Sequence, residues 1–291
     1  MIILTVSEQN SELPGVFDMM LYESTRGKGE VIPSAEAIKK GISDDGGLYV
    51  PREFVQVSIE EIKAMVPMSY QDRAKFILKG YLDDFTAEEI ADCVDKAYNT
   101  TKFSSSDIAP VVMLNSSVNI LELWHGPTCA FKDMALQIMP HFLVKAMRKT
   151  GETDEIVILV ATSGDTGKAA LEGFKDVEGT RIIVFYPEGG VSKIQKRQMV
   201  TQEGRNVLVY GVKGNFDDTQ TGVKQIFTDK QLISRMNEKG FKFSSANSIN
   251  WGRLVPQIVY YFSAYADMVK QGRISFGEKI NFVVPTGNFG N

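Results

Sequence analysis

The sequence predicts an α/β fold, with a parallel β-sheet flanked by helices and a mainly helical region ahead of it. Three apolar runs typical of buried strands are IVILVA at 156–161, RIIVFYP at 181–187 and NVLVYGV at 206–212. Their starts are evenly spaced along the chain, and helical patterns lie between them. A strand–helix repeat favours parallel strands, because each crossover helix returns the chain to the edge at which the previous strand began.

The region 20–110 shows helix signals instead of strand runs. Ser58 and Thr86 are each followed three residues later by a glutamate, which is the capping-box pattern that opens a helix. Gly41 and Gly80 stand where we expect helices to end, because glycine readily adopts the backbone conformation that terminates a helix. We therefore predict a compact, mainly helical N-terminal domain.

Two further apolar runs, FKFSSA at 241–246 and INFVVP at 280–285, are predicted strands on either side of a long helix from about 252 to 271. The chain then stops at PTGNFGN, before the helix that such a turn should open. We interpret the sequence as the N-terminal part of a longer polypeptide. The predicted organisation is an extension at 1–19, a mainly helical domain at 20–110, an incomplete large domain made of 111–133 and 241–291, and a smaller α/β domain at 134–240.

The composition is that of a soluble globular protein and restricts the possible partners. Of the 291 residues 43% are hydrophobic and 23% are charged, and the net charge of −4 comes from well-mixed signs. We find no basic stripe for nucleic acid, no apolar run of the ~18 residues that a membrane span needs, and no signal-peptide pattern. Cys93 and Cys129 cannot form a disulfide framework, so we expect a reducing, cytoplasmic location.

Lys132 is the first candidate for chemistry. It lies in HGPTCAFKDMALQ, residues 125–137, where a glycine–proline turn leads into an apolar segment and a helical pattern begins. Burial among apolar groups disfavours the charged form of lysine, and the neutral amine is the nucleophile that Schiff-base chemistry with an aldehyde requires. The alternative is a surface lysine at a helix start whose charge reaches solvent.

The segment ATSGDTGKAA, residues 161–170, is a candidate anion site. It follows a strand directly, and a strand-to-helix turn of small residues points free backbone amides and the helix dipole at a ligand. It is not a nucleotide-binding P-loop, because Thr162 and Ala169 stand where that motif needs glycine and a hydroxyl residue. The alternative is an ordinary strand-to-helix turn capped by Ser163 or Thr166.

Two more segments could bind anions. In PTGNFGN, residues 285–291, Gly287 and Gly290 permit close approach of the backbone to a phosphate, although a plain loop is the alternative. In SSANSINWGR, residues 244–253, Arg253 could bind a phosphate or a carboxylate, although the small polar residues could simply cap the long helix. One amine nucleophile and two anion-binding turns suit an aldehyde cofactor with a phosphate group, such as pyridoxal phosphate, beside an anionic substrate.

Four segments in order, HGPTCAFKD, ATSGDTGKAA, NSINWGR and PTGNFGN, resemble those of threonine synthase, a pyridoxal-phosphate enzyme of fold type II. The resemblance extends from about residue 20 to the last residue. It implies parallel sheets flanked by helices, similar to those of the β subunit of tryptophan synthase. It also implies that the chain is an N-terminal fragment of such an enzyme.

The resemblance implies roles for the matched residues. Lys132 resembles the catalytic Schiff-base lysine, and Phe131 and Asp133 resemble the neighbours that pack and place it. The loop for the cofactor phosphate corresponds to Gly287, Asn288, Phe289, Gly290 and Asn291. The loop for the amino-acid end of the substrate corresponds to Ser163, Gly164, Asp165 and Thr166. The residues that hold the phosphate of the substrate correspond to Asn247, Ser248 and Arg253.

The implied reaction is a β,γ-replacement that converts O-phospho-L-homoserine and water to L-threonine and phosphate. Other functions stay open: a phospholyase that releases a keto acid from the same substrate, a serine or threonine dehydratase, and a non-catalytic paralogue that binds a metabolite. A zinc site would have to use Cys93, His125, Cys129 and His141, but no pair has finger-like spacing, and we expect no metal. We expect a monomer or a homodimer.

The end of the chain bears on its activity. The resemblance implies that the missing part carries the group that faces the pyridine nitrogen of the cofactor. The phosphate-binding turn would also lie at a chain terminus, without the following helix whose dipole attracts phosphate. We therefore expect the chain as it stands to be inactive and to bind pyridoxal phosphate poorly.

Overall fold

The computed structural model describes residues 19–285. Its strands are β1 (Leu21–Ser24), β2 (Ile32–Pro33), β3 (Tyr49–Pro51), β4 (Val111–Met113), β5 (Asn119–Leu121), β6 (Glu155–Ala161), β7 (Thr180–Pro187), β8 (Val207–Val212) and β9 (Phe241–Ser244). Its helices are α1 (Ser34–Lys40), α2 (Ile59–Met65), α3 (Tyr70–Tyr81), α4 (Ala87–Ala97), α5 (Asp133–Leu136), α6 (Met139–Lys149), α7 (Asp165–Phe174), α8 (Lys193–Val200), α9 (Phe216–Thr228), α10 (Lys230–Asn237) and α11 (Trp251–Lys270). Within this range, none of the helices has the length and apolar character that a membrane crossing requires.

The N-terminal region is mainly helical, as the sequence predicts. A small antiparallel sheet in the order β2-β1-β3 accompanies α1 to α4. Both predicted capping boxes are present, because Ser58 accepts a hydrogen bond from the Glu61 amide of α2 and Thr86 accepts one from the Glu89 amide of α4. These bonds satisfy amide donors that a helix start leaves without an intrahelical partner, so both helices begin where the sequence indicates.

The two glycines that were expected to end helices differ. Gly41 follows α1 with a φ of 75°, as predicted. The prediction for Gly80 is wrong, because α3 continues to Tyr81 and contains the glycine. A Cβ at position 80 would lie 2.8 Å from Cγ1 of Val55, closer than non-bonded carbon atoms approach. Close packing of α3 on the segment after β3, and not the end of a helix, therefore requires this glycine.

The main sheet has the strand order β8-β7-β6-β9, and every neighbouring pair is parallel. The three strands predicted from their even spacing lie side by side, with Ile158 of β6 opposite Ile182 of β7. Side chains of β6 enter two separate apolar clusters: Ile158 packs in the main core, and Leu159 packs with Val223 of α9. Helices thus cover both faces of the sheet, and the predicted α/β class is confirmed.

The last two predicted strands have different outcomes. FKFSSA forms β9, which pairs with β6 in the same sheet as the strands of the predicted smaller domain. The division of the chain into domains stays a prediction. INFVVP, at 280–285, is not a strand: it pairs with no strand among the described residues, and Val283 is 93% exposed. An apolar extended segment becomes a strand only where a neighbour accepts and donates its backbone hydrogen bonds.

Helix α11 connects the N-terminal region to the main sheet. Arg73 of α3 is only 2% exposed and donates to Asp267 at 2.7 Å and to the Ser263 hydroxyl at 2.8 Å, both on α11. It also donates to the carbonyls of Met65 and Val66. Removing one partner of such a buried charge is strongly destabilising, so this contact holds the C-terminal half of α11 against the N-terminal helices.

Candidate active site

The turn before Lys132 is shaped by the buried carboxylate of Asp133. Its oxygens accept hydrogen bonds from the Thr128 amide at 2.8 Å and the Thr128 hydroxyl at 2.7 Å. A Cβ at Gly126 would overlap the Asp133 side chain, and Cys129 adopts a left-handed φ of 56°. Burial raises the pKa of Asp133, while the hydrogen bonds from Thr128 oppose that rise. These contacts fix the path of the chain into α5, which begins directly after Lys132.

Lys132 is largely enclosed and carries an opposite charge beside it. Its Nζ lies 2.9 Å from Oδ2 of Asp165 and 4.2 Å from the centroid of the Phe131 ring, and its side chain is 14% exposed. The burial that the sequence indicated is present, and a carboxylate and an aromatic ring lie beside the amine. The catalytic role of Lys132 stays a prediction.

The turn between β6 and α7 depends on Thr162. Its hydroxyl accepts hydrogen bonds from the amides of Gly164 at 3.1 Å and Gly167 at 3.0 Å, and donates to the Gly164 carbonyl. From the sequence, Thr162 counted only as a mismatch to a P-loop. The available signal was a hydroxyl residue directly after the last residue of a buried strand, where it can bond to the backbone of the turn.

Apart from the Gly167 amide, which donates to Thr162, the amides in the first turn of α7 have no side-chain acceptor among the described residues. The predicted cap by Ser163 or Thr166 is wrong, because the N-cap residue is Gly164 and it has no side chain. The amides of Ser163, Asp165 and Thr166 find no acceptor among residues 19–285. The start of α7 therefore combines free donors with the positive end of a helix dipole, as an anion site requires.

Gly173 brings α7 close enough to α5 for the two helices to share an ion pair. A Cβ at position 173 would overlap the carbonyl oxygen of Leu136. Glycine inside a helix costs about 1 kcal/mol relative to alanine. The close contact with Leu136 accounts for the glycine. This contact packs α7 against α5, and the packing brings Asp165, at the start of α7, to Lys132, which directly precedes α5.

Arg253 is a second, buried cation, and the charge of Asp165 acts on it without direct contact. It lies in the first turn of α11, is 5% exposed, and donates from Nη1 to the Ala246 carbonyl at 3.0 Å. Burial lowers the pKa of Arg253 to about 10, and the charge of Asp165 acts in the opposite direction. No described carboxylate lies within 4 Å of its guanidinium. A buried guanidinium without a carboxylate in contact is suited to bind an anion.

Asn247 and Ser248 lie in the loop between β9 and α11 and are half-buried. The Asn247 amide donates to the Ser245 hydroxyl at 3.2 Å. Asn250 accepts from the Gly252 amide at 2.8 Å and therefore caps α11. The alternative of a helix cap is thus correct for Asn250, whereas the roles of Asn247 and Ser248 stay predictions.

The predicted loop for the cofactor phosphate, Gly287, Asn288, Phe289, Gly290 and Asn291, lies outside the described residues. Residues 1–18 of the predicted extension lie outside them as well. Over the range 19–285, no group of three or more His, Cys, Asp or Glu side chains is arranged to hold a metal ion. Of the residues considered for zinc, His125 pairs with Glu122 at 2.7 Å and Cys93 is buried.

The structure therefore brings together an amine, a carboxylate, a buried guanidinium and the N-terminus of a helix. These groups come from three segments: the turn before α5, the first turn of α7 and the first turn of α11. A primary amine beside an anion site can capture a carbonyl compound that carries an acidic group.

Lys132 precedes α5 and contacts the N-terminus of α7, which follows a strand of the parallel sheet. The fold is that of fold-type-II pyridoxal-phosphate enzymes. A solved threonine synthase from Brucella melitensis, described as bound to that cofactor, has a TM-score of 0.83 and 37% identity and covers 93% of this chain and 56% of its own. The yeast threonine synthase has a TM-score of 0.81 and 35% identity, with coverage of 93% and 54%.

Sequence relatives agree with these structures. Residues 21–98 match the family model described as threonine synthase N terminus. Threonine synthase of Pseudomonas aeruginosa is 39% identical over 277 residues, which are 94% of this chain and 55% of the relative. Threonine synthase-like 1 of Homo sapiens is 44% identical over 266 residues, which are 88% and 35%.

Over nearly all of its length the chain is similar to threonine synthases, which are pyridoxal-phosphate-dependent lyases. It spans about half the length of the threonine synthases that it matches and 35% of the length of threonine synthase-like 1.

Proposed function

We propose that this chain is part of an enzyme that uses pyridoxal phosphate to convert O-phospho-L-homoserine and water to L-threonine and phosphate. Similarity to threonine synthases supports the reaction, and the Brucella melitensis structure, described as bound to pyridoxal phosphate, supports the cofactor. The observation that carries the proposal is the contact of Lys132 with Asp165 at the N-terminus of α7, together with the buried guanidinium of Arg253, on which the charge of Asp165 acts. That arrangement combines a nucleophilic amine with sites for a substrate that has two acidic groups.

The described residues supply an amine and an aromatic ring that fit the proposed cofactor. Lys132 Nζ is the amine that can bond to an aldehyde carbon, and the Phe131 ring lies beside it at 4.2 Å. When bound, pyridoxal phosphate supplies an electron-withdrawing ring that stabilises negative charge at Cα of the amino acid. The proposal that 287–291 hold its phosphate rests on the resemblance alone.

Lys132 is the residue proposed to move protons. As a free amine, Nζ accepts the proton of the substrate Cα and then one from Cβ, so that phosphate leaves from Cγ. Protons are returned at Cγ and at Cα, and water adds its hydroxyl group at Cβ and releases its other proton. General acid–base catalysis of this kind typically contributes about 10²- to 10⁴-fold to the rate. The brace between Asp133 and Thr128, at 2.7 and 2.8 Å, supports this role because it fixes the backbone from which Lys132 extends.

The two acidic ends of the substrate have separate proposed partners. The free amides at the start of α7 would receive the α-carboxylate, and Arg253, with Asn247 and Ser248, would receive the phosphate. The 5% exposure of Arg253 supports this assignment, because a charge-assisted hydrogen bond is stronger where water is excluded.

The test is chemical labelling of the natural protein that contains this sequence. Pyridoxal phosphate is trapped on the protein with borohydride, and peptide mass spectrometry locates the label. We expect the label on Lys132 and its loss in Lys132→Ala. The matched control is Lys102→Ala, because burial lowers the pKa of Lys102 and makes it a competing amine. Labelling that persists in Lys132→Ala at the same stoichiometry would contradict the proposal.

A phospholyase that releases a keto acid is the second candidate. The 44% identity to threonine synthase-like 1, against 39% to the synthase of Pseudomonas aeruginosa, does not favour the synthase reaction over it. Both candidates need the same lysine and the same phosphate site, so they differ only in the steps after phosphate has left. Analysis of the products from O-phospho-L-homoserine separates them, because threonine indicates the synthase and a keto acid with ammonia indicates the phospholyase.

A further inference from the structure

We propose that the side-chain amide of Gln195, on α8, binds the α-carboxylate of an amino-acid substrate at the start of α7. This inference rests on the proposed function in that it takes the turn before α7 as the place that receives the amino-acid end of the substrate. Gln195 lies in the segment after β7, where the sequence indicated no candidate residue. It is a substrate-binding residue that distinguishes α-amino acids from amines without a carboxylate.

The topology of the sheet brings α8 to the turn before α7. Because β6 and β7 are neighbouring parallel strands, the loops that follow them leave the same edge of the sheet, where ligands of such sheets bind. The two helices also pack closely. A Cβ at Gly167 of α7 would lie 2.8 Å from the sulfur atom of Met199, which is fully buried on α8. This contact fixes the position of Gln195, which lies one turn before Met199.

The amide group of Gln195 lies directly against the turn. A Cβ at Gly164, the N-cap residue of α7, would be 2.8 Å from Nε2 and 3.1 Å from both Cδ and Oε1 of Gln195. The whole amide group therefore faces Gly164, and a side chain at position 164 would displace it. Gln195 is only half-buried, so a ligand in the turn can reach its side chain.

Ser192 orients this amide group and leaves its donors free. The Ser192 hydroxyl accepts a hydrogen bond from the backbone amide of Gln195 at 3.2 Å and donates one to Oε1 at 3.1 Å. Nε2 has no hydrogen-bond acceptor in the described part of the chain. It therefore adds two N–H donors to the free backbone amides at the start of α7, and a carboxylate can accept hydrogen bonds from several donors at once.

The experiment compares three ligands that differ in their acidic groups. O-phospho-L-homoserine has both groups, L-homoserine lacks the phosphate, and 3-aminopropyl phosphate lacks the α-carboxylate. Rapid-mixing measurements of cofactor absorbance in the cofactor-loaded natural protein give dissociation constants before turnover. We expect Gln195→Leu to weaken binding of both α-amino acids roughly five- to thirtyfold, as for one hydrogen bond to a charged group. Binding of 3-aminopropyl phosphate should not change, which also shows that the variant is folded.

Two substitutions of glutamine by glutamate separate contact from charge. Gln195→Glu replaces the two donors by an acceptor with a negative charge, so it should weaken binding of the α-amino acids more than Gln195→Leu does. The matched control is Gln231→Glu, which adds the same charge at an exposed position of α10. Because α10 leads into the start of β9, it lies toward the opposite edge of the parallel sheet, and all three ligands should bind as they do to wild type.

Unchanged affinity of Gln195→Leu for both α-amino acids would overturn this inference alone. An equal loss for 3-aminopropyl phosphate would overturn it as well, because the amide would then not act on the carboxylate. Failure of the proposed function has a different result: wild type would bind L-homoserine as tightly as its phosphate ester, while Gln195→Leu would still weaken both. A wild-type protein that binds neither α-amino acid would overturn both proposals.

Discussion

Two buried arginines lie near opposite ends of α11 and differ in their partners. Arg253 belongs to the first turn of α11, whereas Arg73 of α3 contacts its C-terminal half. Arg73 donates to the carboxylate of Asp267 at 2.7 Å, to the Ser263 hydroxyl at 2.8 Å and to three backbone carbonyls. Arg253 donates to the Ala246 carbonyl and has no described carboxylate within 4 Å. A buried cation with a full set of partners holds two segments together. A buried cation without a carboxylate in contact still has hydrogen-bond donors that can bind an anionic ligand.

The largest effect is expected at the fully partnered arginine. Arg73→Met should lower the free energy of unfolding by about 3–5 kcal/mol, because it leaves the Asp267 carboxylate without its buried cation. Chemical denaturation followed by circular dichroism measures the change. Adding Asp267→Asn to this variant should recover part of the loss, since the unpaired charge is then absent. A loss below about 1 kcal/mol would show that the contact does not hold the two regions together.

Arg253 should show the opposite balance between stability and binding. Arg253→Met should leave the free energy of unfolding within about 1 kcal/mol of wild type, since no ion pair is broken. It should weaken binding of O-phospho-L-homoserine roughly ten- to a hundredfold, the equivalent of about 1.5–3 kcal/mol for a charge-assisted contact. Calorimetric titration of the cofactor-loaded natural protein measures this loss. Homoserine is the control ligand, and an equal loss for it would mean that Arg253 does not contact phosphate.

His141 is a half-buried residue with one buried ring nitrogen, and the effect that we expect from this burial is a dependence of stability on pH. Its Nε2 is buried and has no hydrogen-bond partner among the described residues. Burial lowers the pKa of His141 to about 4, so the folded protein keeps the ring neutral. An unfolded histidine has a pKa near 6.5, so the unfolded state binds more protons between about pH 6.5 and 4. This contribution to stability is complete above pH 6.5 and is lost as the pH falls.

Replacing His141 tests this sign. His141→Gln should lose less stability than the wild type between about pH 6.5 and 4, by up to about 2 kcal/mol. Denaturant midpoints measured across this range give the two slopes. Above pH 7 the two proteins should change in parallel, which serves as the control. Equal slopes below pH 6.5 would show that His141 is not the neutral buried group described here.

The parts of the fold that could be predicted are those recorded in local patterns. Parallel strands follow from repeated apolar runs, and the helix starts at Ser58 and Thr86 follow from a hydroxyl and a glutamate three residues apart. The errors at Gly80 and at 280–285 have another origin. Each depends on a neighbour distant in sequence: Val55 beside Gly80, and a partner strand that the described residues do not supply.

The candidate site was predictable in its residue types but not in its contacts. Lys132 and the turn containing Asp165 could be singled out because each combines a helix start with unusual neighbours. Their ion pair joins residues 33 positions apart and depends on how two helices pack. Thr162 was missed for a related reason, since its bonds to Gly164 and Gly167 exist only once the turn has formed.

Gly173 restricts how much variation the site can tolerate. The spacing between α7 and α5 is set by main-chain contact with Leu136, so no change of rotamer can compensate for an added methyl group. Apolar residues on the buried face of α7, such as Leu171 and Phe174, can exchange for others of similar volume and repack. A saturation library across α7 should therefore tolerate conservative changes at Leu171 and Phe174 but reject every substitution at position 173. Recombination that joins α5 from one relative to α7 from another should work only when both parents have glycine there.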